Sequence, residues 1–353
     1  MENVKKFYKN KRVLVTGATG FKGSWLCIWL LNLGAKVYAT GYNPNKNKTL
    51  FKSLKLSEKT HLKIFDIRDF SKIDNLIKKT KPQIIFHLAA QPLVIDSYKK
   101  PYLTFDINFR GTLNILEVAK KYNFIKSVIC VTSDKCYENT GKIKGYKETD
   151  MLGGVDPYSA SKSSTELLIK SYLESFFRRS KRGLSSVRAG NVIGGGDWSD
   201  NRLIPDCIRS LSKNKKILLR NPNFSRPWQL VLEPLKGYLV LAKKQFEEPL
   251  KFSGAWNFGT ETKDSVSVRK IVELIINFWG NGKIKLLNKS KFHEQQNLQI
   301  DSSKAKKFLS WKTTYNTKKA VEVTTEWYSK ILRSKESADY VTKKQIKEYM
   351  KHS

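Results

Sequence analysis

The first half of the chain repeats one alternation. Short apolar runs are followed by longer stretches in which apolar side chains recur every three or four positions. The short runs lie at 12–17 (RVLVTG), 35–41 (AKVYATG), 61–67 (HLKIFDI), 83–90 (QIIFHLAA), 127–133 (SVICVTS) and 184–194 (LSSVRAGNVIG, which enters a loop). They read as strands, and their continuous apolarity predicts burial on both faces. The stretches between them read as helices: FKGSWLCIWLLNLG, stopping at Gly34, then SKIDNLIKKT, a long one over 98–122, and DPYSASKSSTELLIKSYLESFF over 156–177. Strands alternating with helices predict an α/β fold, a Rossmann-type doubly wound parallel sheet.

From residue 195 the pattern loosens. GGGDWSDNR and RNPNFSRPWQL are rich in Gly, Asn and Pro and read as loops, whereas LIPDCIRSLSK, 266–279 and 317–333 read as helices. The expected organisation is a dinucleotide-binding Rossmann domain over 1–190 that also carries the catalytic residues. A smaller, mostly helical substrate-binding lobe over 191–335, partly interleaved with it, covers the C-terminal ends of the strands. Residues 336–353 read as a tail forming a peripheral helix or partly disordered.

Composition narrows the class. Of 353 residues, 40% are hydrophobic, enough for a large core. The longest apolar run, WLCIWLLNL, has nine residues, against the roughly 18–20 of a membrane span. MENVKKFYKNKRVLVTG carries charge without an apolar h-region, so no secretory signal is expected. Cys27, Cys130, Cys136 and Cys207 show no metal-ligand spacing and read as reduced thiols of a cytoplasmic protein. A net charge of +35 raises nucleic acid or an anionic membrane as partners. The lysines are scattered over every helix, with no arginine-rich arm or aromatic-interleaved stripe, so neither partner is expected. The same field would draw an anionic substrate.

Candidate chemistry starts at TGATGFKG. Gly17, Gly20 and Gly23 are spaced GxxGxxG between a predicted strand and a predicted helix. Glycine lets the backbone approach a pyrophosphate, and the helix N-terminus supplies amide donors. Gly17, Thr19, Gly20, Phe21, Lys22 and Gly23 are therefore expected to hold a dinucleotide. Asp66 and Ile67 at the third strand end, and Leu88, Ala89 and Ala90 in HLAA, complete that expectation. Asp66 suits the adenine amino group; the alternative is that it caps the next helix. The acidic residue that usually follows about 20 positions on is missing. Tyr42, Asn43 and several lysines stand there, so this rule does not separate NAD from NADP.

About 140 residues after the glycines, Tyr158 and Lys162 form YxxxK, which places both on one helix face. A tyrosine, with a reference pKa of about 10, needs a nearby positive charge to act as a base near neutral pH. The buried strand before them ends in Ser133, Asp134 and Lys135, and charges at such a place are expensive unless they are used.

These motifs, in order with DIRD, HLAAQ, RAGNVIG, RPWQ and WNFG, resemble the extended short-chain dehydrogenase/reductase superfamily over nearly the whole chain. VTSDKCYEN, GFKGSWL, AAQPLV, DPYSASK, RAGNVIGGGDW and RPWQ together look like one family within it, the CDP-glucose 4,6-dehydratases. The resemblance implies tightly held NAD, a homodimer through the helices near 98–122 and 158–178, and conversion of CDP-glucose to CDP-4-keto-6-deoxyglucose for surface-polysaccharide deoxy sugars. It implies a hydroxyl–acid–base triplet, here Ser133–Asp134–Lys135, with lysine where TDP-glucose dehydratases have glutamate. Tyr158 would take the O4 proton, Ser133 hold O4, neutral Lys135 take the C5 proton and protonated Asp134 release O6 as water. Burial is expected to push Asp134 and Lys135 toward those charge states. The substrate contacts implied are Gln91, Ser133, Asn191, Arg202 and Arg226. Arg188 is a further loop arginine suited either to the diphosphate or to the surface. The family usually has His after RPWQ, where this chain has Leu230. Other readings are a TDP- or GDP-sugar dehydratase, a 4-epimerase, which would have no use for Asp134 and Lys135, or a basic RNA-binding Rossmann protein.

Overall fold

The computed structural model describes residues 1–42, 49–142, 144–219, 221–260, 265–286 and 298–353. Asn43 and the lysines beside it lie outside these residues. Seven parallel strands form the main sheet: β1 (Arg12–Thr16), β2 (Lys36–Gly41), β3 (His61–Ile64), β4 (Ile84–His87), β5 (Ser127–Val131), β6 (Gly183–Ala189) and β10 (Gly254–Phe258). Their order is β10-β6-β5-β4-β1-β2-β3. The chain winds outward from β1 to β3, then restarts at β4 on the other side of β1. That reversal opens a crevice at the C-terminal ends of β1 and β4, where doubly wound sheets bind ligands. The register aligns those ends, with Thr16 opposite His87 and His87 opposite Cys130.

Alternate residues feed opposite faces, as a period of two requires. Val13, Val15, Ile84, Phe86 and Ile129 join a core with Trp25, Trp29 and Leu239. Leu14, Ile85, Val128 and Cys130 join the other core, with Ile73, Ile115 and Ile169. Both faces being covered explains why β1, β4 and β5 read as apolar; β3, at the sheet edge, is mostly exposed, against the burial expected of it.

The rest of the chain adds two small sheets. β7 (Asn191–Ile193), β9 (Ser225–Leu230) and β11 (Ser265–Ser267) form one, in the order β11-β9-β7; β8 (Ile217–Leu219) pairs with β12 (Ile284–Leu286) in the other. Three expectations change. RPWQ is a strand paired on both sides despite its proline. β3 ends at Ile64, which leaves Asp66 in the following turn. The stretch over 98–122 is interrupted at Lys100, before Pro101: one helix spans Val94–Lys99, and the next starts at Pro101 and runs through a π turn (Asp106–Arg110) into Gly111–Lys121.

The tail forms a helix, Ala338–Lys351, with Val341, Ile346 and Tyr349 buried. Tyr349 meets Trp29 edge-on at 5.9 Å and donates to buried Glu233 at 2.6 Å. Its apolar positions recur at helical spacing, which is why it packs down rather than lying loose.

Candidate active site

The glycine loop joins β1 to the helix Phe21–Asn32. Gly17 has φ +69, and a Cβ there would lie 2.6 Å from the Ala89 amide nitrogen. A Cβ on Gly23 would lie 2.2 Å from the Gly17 carbonyl oxygen. Only glycine permits this close approach of loop, helix and HLAA turn, which leaves a backbone cradle at a helix N-terminus that fits a pyrophosphate. A buried chain holds the cradle. The Thr16 hydroxyl accepts from the Ala89 amide at 3.2 Å and meets His87 Nδ1 at 2.7 Å, while His87 Nε2 lies 3.1 Å from the Thr112 hydroxyl. Thr112 donates onward to the Asn108 carbonyl at 2.7 Å, so Nε2 carries the ring proton and Thr16 donates to Nδ1. Burial, helped by Lys162, pushes His87 down to about 3, so it stays neutral. Nothing in the sequence pattern singled out His87 or Thr112.

Asp66 is engaged by Arg68, at 2.9 Å from the backbone amide and at 2.9 and 2.6 Å from the guanidinium. Those hydrogen bonds hold its carboxyl below the usual range against the effect of burial. Asp66 does not cap the following helix; Asp69 does, accepting from the Lys72 amide at 3.1 Å.

β5 delivers the triplet. Ser133 caps the short turn Asp134–Cys136, its hydroxyl accepting from the Lys135 amide at 3.2 Å and donating to Asp134 Oδ1 at 3.0 Å. The facing helix, Pro157–Tyr172, starts where Asp156 accepts from the Ser159 amide and hydroxyl at 3.0 and 2.6 Å. That cap places Tyr158 in the first turn and Lys162 one turn on. Ser133 stands beside the Tyr158 hydroxyl and acts to lower its pKa. Ser133, Asp134, Tyr158 and Lys162 are all buried, whereas Lys135 is half-buried.

Burial pushes Asp134 up, opposed by Lys135, Ser133 and Arg226, as expected for an acid that works protonated. Tyr158 departs from expectation. Burial pushes it up to about 12, with Ser133 and Arg202 opposing and Asp134 and Asp156 adding. The Lys162 amine donates to the Val131 carbonyl at 3.4 Å. Burial takes Lys162 itself down to about 8, with Glu166 holding it up.

The substrate-side residues separate. Arg202 precedes the helix Leu203–Leu211 and reaches Asp197 at 3.2 Å. Lys22 half-faces the same cleft: burial, Arg202 and Lys162 lower it to about 8, and Asp134 raises it. Lys135, Arg226 and Lys22 thus act on Asp134, and Arg202 acts on Lys22 and Tyr158, a cationic field suited to an anion. Asn191 opens β7 beside them. The Gln91 side chain is bound into its own turn, donating to the Leu93 carbonyl and Thr104 and accepting from the Leu93 amide. Arg188 is neither a phosphate ligand nor a surface residue. It is 2% exposed and paired with Glu166, donating from Nε at 2.9 Å and from a terminal nitrogen at 2.6 Å.

The family model described as GDP-mannose 4,6 dehydratase matches residues 14–324. The chain belongs to that family. It is 43% identical over 352 residues, covering 98% of both chains, to a CDP-glucose 4,6-dehydratase of Salmonella typhimurium. The fold is that of a dTDP-glucose 4,6-dehydratase from Bacillus anthracis in complex with NAD, at TM-score 0.74, 23% identity, and 91% and 97% coverage. It is also that of a UDP-glucose 4-epimerase from Thermotoga maritima with UDP-glucose, at TM-score 0.77, 20% identity, and 91% and 99% coverage. Within this dehydratase framework Leu230 ends β9 at 1% exposure in the main core.

Proposed function

We propose that this dehydratase acts on CDP-glucose, removing water to give CDP-4-keto-6-deoxyglucose. The observation that carries the chemistry is a buried acid, Asp134, hydrogen-bonded to Ser133 and close enough to act on Tyr158, with a lysine next in sequence. An enzyme that only moved hydride would gain nothing from a buried carboxyl there. The choice of base rests on the 43% identity to the CDP-glucose enzyme.

The glycine cradle, Asp66, Ile67, Leu88, Ala89 and Ala90 would hold NAD, with Lys162 at its ribose. NAD, when bound, takes hydride from the sugar and returns it, so it is not consumed. Ser133 and Tyr158 hold the sugar O4, and Tyr158 accepts its proton as the phenolate, a form that the positive nicotinamide ring of bound NAD would favour against burial. Lys135, in its neutral form, takes the C5 proton made acidic by the neighbouring ketone. Asp134, kept protonated by burial, donates to O6, which leaves as water. Asn191, Arg202 and Arg226 would meet the nucleotide sugar, the arginines pairing with its diphosphate.

The division into a Rossmann part and a lobe closing over the strand ends follows from the same reading. The four cysteines are free and buried, which suits a reducing cytoplasm. Among the described residues no helix is long and apolar enough to cross a membrane. Tyr98, Tyr102, Phe105, Leu167 and Phe176 expose apolar surface on the two helical stretches expected to pair copies of the chain. A homodimer covers them; sedimentation finding only monomer overturns that part.

The deciding experiment incubates the purified protein separately with CDP-glucose, TDP-glucose, UDP-glucose and GDP-mannose, with catalytic NAD, and looks for loss of one water by mass spectrometry. Loss from CDP-glucose, with no net reduced cofactor, is expected. Loss from another sugar alone overturns the base, and loss from none overturns the reaction.

A further inference from the structure

One buried carboxylate touches both halves of the reacting constellation without belonging to it. Glu166 lies on the Tyr158–Lys162 helix, one turn beyond Lys162. It accepts from the Thr132 hydroxyl, from Ser186 at 2.7 Å and from two nitrogens of Arg188. Thr132 is the residue immediately before Ser133. Arg188, on β6, also donates to the Tyr137 hydroxyl at 2.6 Å and lies 4.8 Å from its ring centroid. Tyr137 is the residue immediately after the Asp134–Cys136 turn, and its hydroxyl donates to Asn257 at 2.8 Å. The pair thus grips the triplet from both ends while standing on the helix that carries Tyr158 and Lys162.

Stability alone does not call for such a pair. Both side chains are 3% exposed, and well-packed apolar residues in place of a buried ion pair are often neutral or stabilising. We infer that Glu166 and Arg188 are a positioning pair for the reaction: they fix the aim of Ser133–Asp134–Lys135 against Tyr158, and Glu166 supports the charge of Lys162. This rests on the dehydratase reading above and adds residues to it.

The second half is electrical. Burial lowers Lys162, and Glu166 is the foremost group opposing that. The other groups around the amine are weaker supports. Cys130 on β5 and Cys136 in the turn are pushed up by burial and so are neutral, His87 on β4 is neutral, and Lys22 on the glycine-loop helix repels it. Glu166 itself stays ionised, because Arg188 and the hydrogen bonds outweigh its burial.

The test uses the full-length enzyme with NAD and whichever sugar nucleotide the wild type dehydrates, so failure of the CDP-glucose assignment is seen in the wild type and does not touch these comparisons. Wild-type kcat should fall as pH rises through about 8, as Lys162 loses its proton. Glu166→Gln should move that alkaline limb to lower pH by about one unit, and should lower kcat about tenfold or more with KM within about twofold. Thr132→Val removes only the hydroxyl linking Glu166 to the turn. It should lower kcat by a similar factor and leave the limb in place. The double variant Glu166→Met/Arg188→Met should keep its melting temperature and still show both losses. A purely structural pair would do the reverse, lowering melting temperature while the folded fraction kept its kcat and pH profile. Unchanged kcat in Thr132→Val, or an unmoved limb in Glu166→Gln and the double variant, overturns the inference; if neither charge variant folds, Thr132→Val decides it.

Discussion

Gly23→Ala isolates what the glycine loop does. Gly23 lies inside the helix Phe21–Asn32 and its φ is not positive, so alanine meets no backbone penalty there. What it meets is the loop. The new Cβ would lie 2.2 Å from the Gly17 carbonyl oxygen, 2.8 Å from its carbon and 2.9 Å from the Ala18 Cα. Ordinary contact begins at 3.4 Å, and all three atoms are backbone. Relief therefore requires helix and loop to part by about an ångström, with an overpacking cost of about 3 kcal/mol. A Tm lower by roughly 5 °C is expected. The same parting carries the amide donors away from the pyrophosphate, so NAD affinity should fall about tenfold or more, since each 1.4 kcal/mol is a factor of about ten. Gly254→Ala is the control. Its φ is +107 and a Cβ there meets nothing within 4 Å, so only backbone strain of about 1–3 kcal/mol applies. It starts β10, at the sheet edge away from β1. Scanning calorimetry and titration calorimetry with NAD read the two effects. Gly23→Ala with the NAD affinity of the wild type, or Gly254→Ala losing affinity as strongly, would refute the argument.

Asp134→Asn should lower dehydration about a hundredfold or more while solvent deuterium still enters C5, and Lys135→Ala should abolish that exchange; mass spectrometry of recovered sugar nucleotide separates them. Tyr349→Phe removes a buried donor to Glu233, which also accepts from the Thr314 and Tyr315 amides. It should lower stability by about 1–2 kcal/mol, read as a lower urea midpoint with unchanged kcat.

The centre of the sheet was legible because β1, β4 and β5 are buried on both faces and apolar along most of their length; the edge strand β3 was legible as a strand but not as an exposed one. The glycine loop and YxxxK were legible because their spacing is local. β9 was not, because Pro227 and the flanking Asn residues carry turn propensities that pairing with β7 and β11 overrides. Arg188 was misplaced for a related reason. A loop arginine and a buried arginine look alike until the partner is known, and Glu166 is 22 positions away in sequence. Glu166 did leave a signal, being four residues beyond Lys162 on the face already assigned to chemistry.

Two buried carboxylates, one in the triplet and one beside it, show how one site keeps an acid and an anion apart. Asp134 and Glu166 are both buried, and burial pushes each toward the protonated form. Glu166 is held ionised by a guanidinium and by hydroxyls of Thr132 and Ser186. Asp134 has one hydroxyl donor and cations that do not close on it in the same way, so burial prevails. Two like groups driven in opposite directions divide the labour: one holds a proton to give away, the other holds charge and geometry. Exchanging their surroundings would ionise the acid and release the anchor.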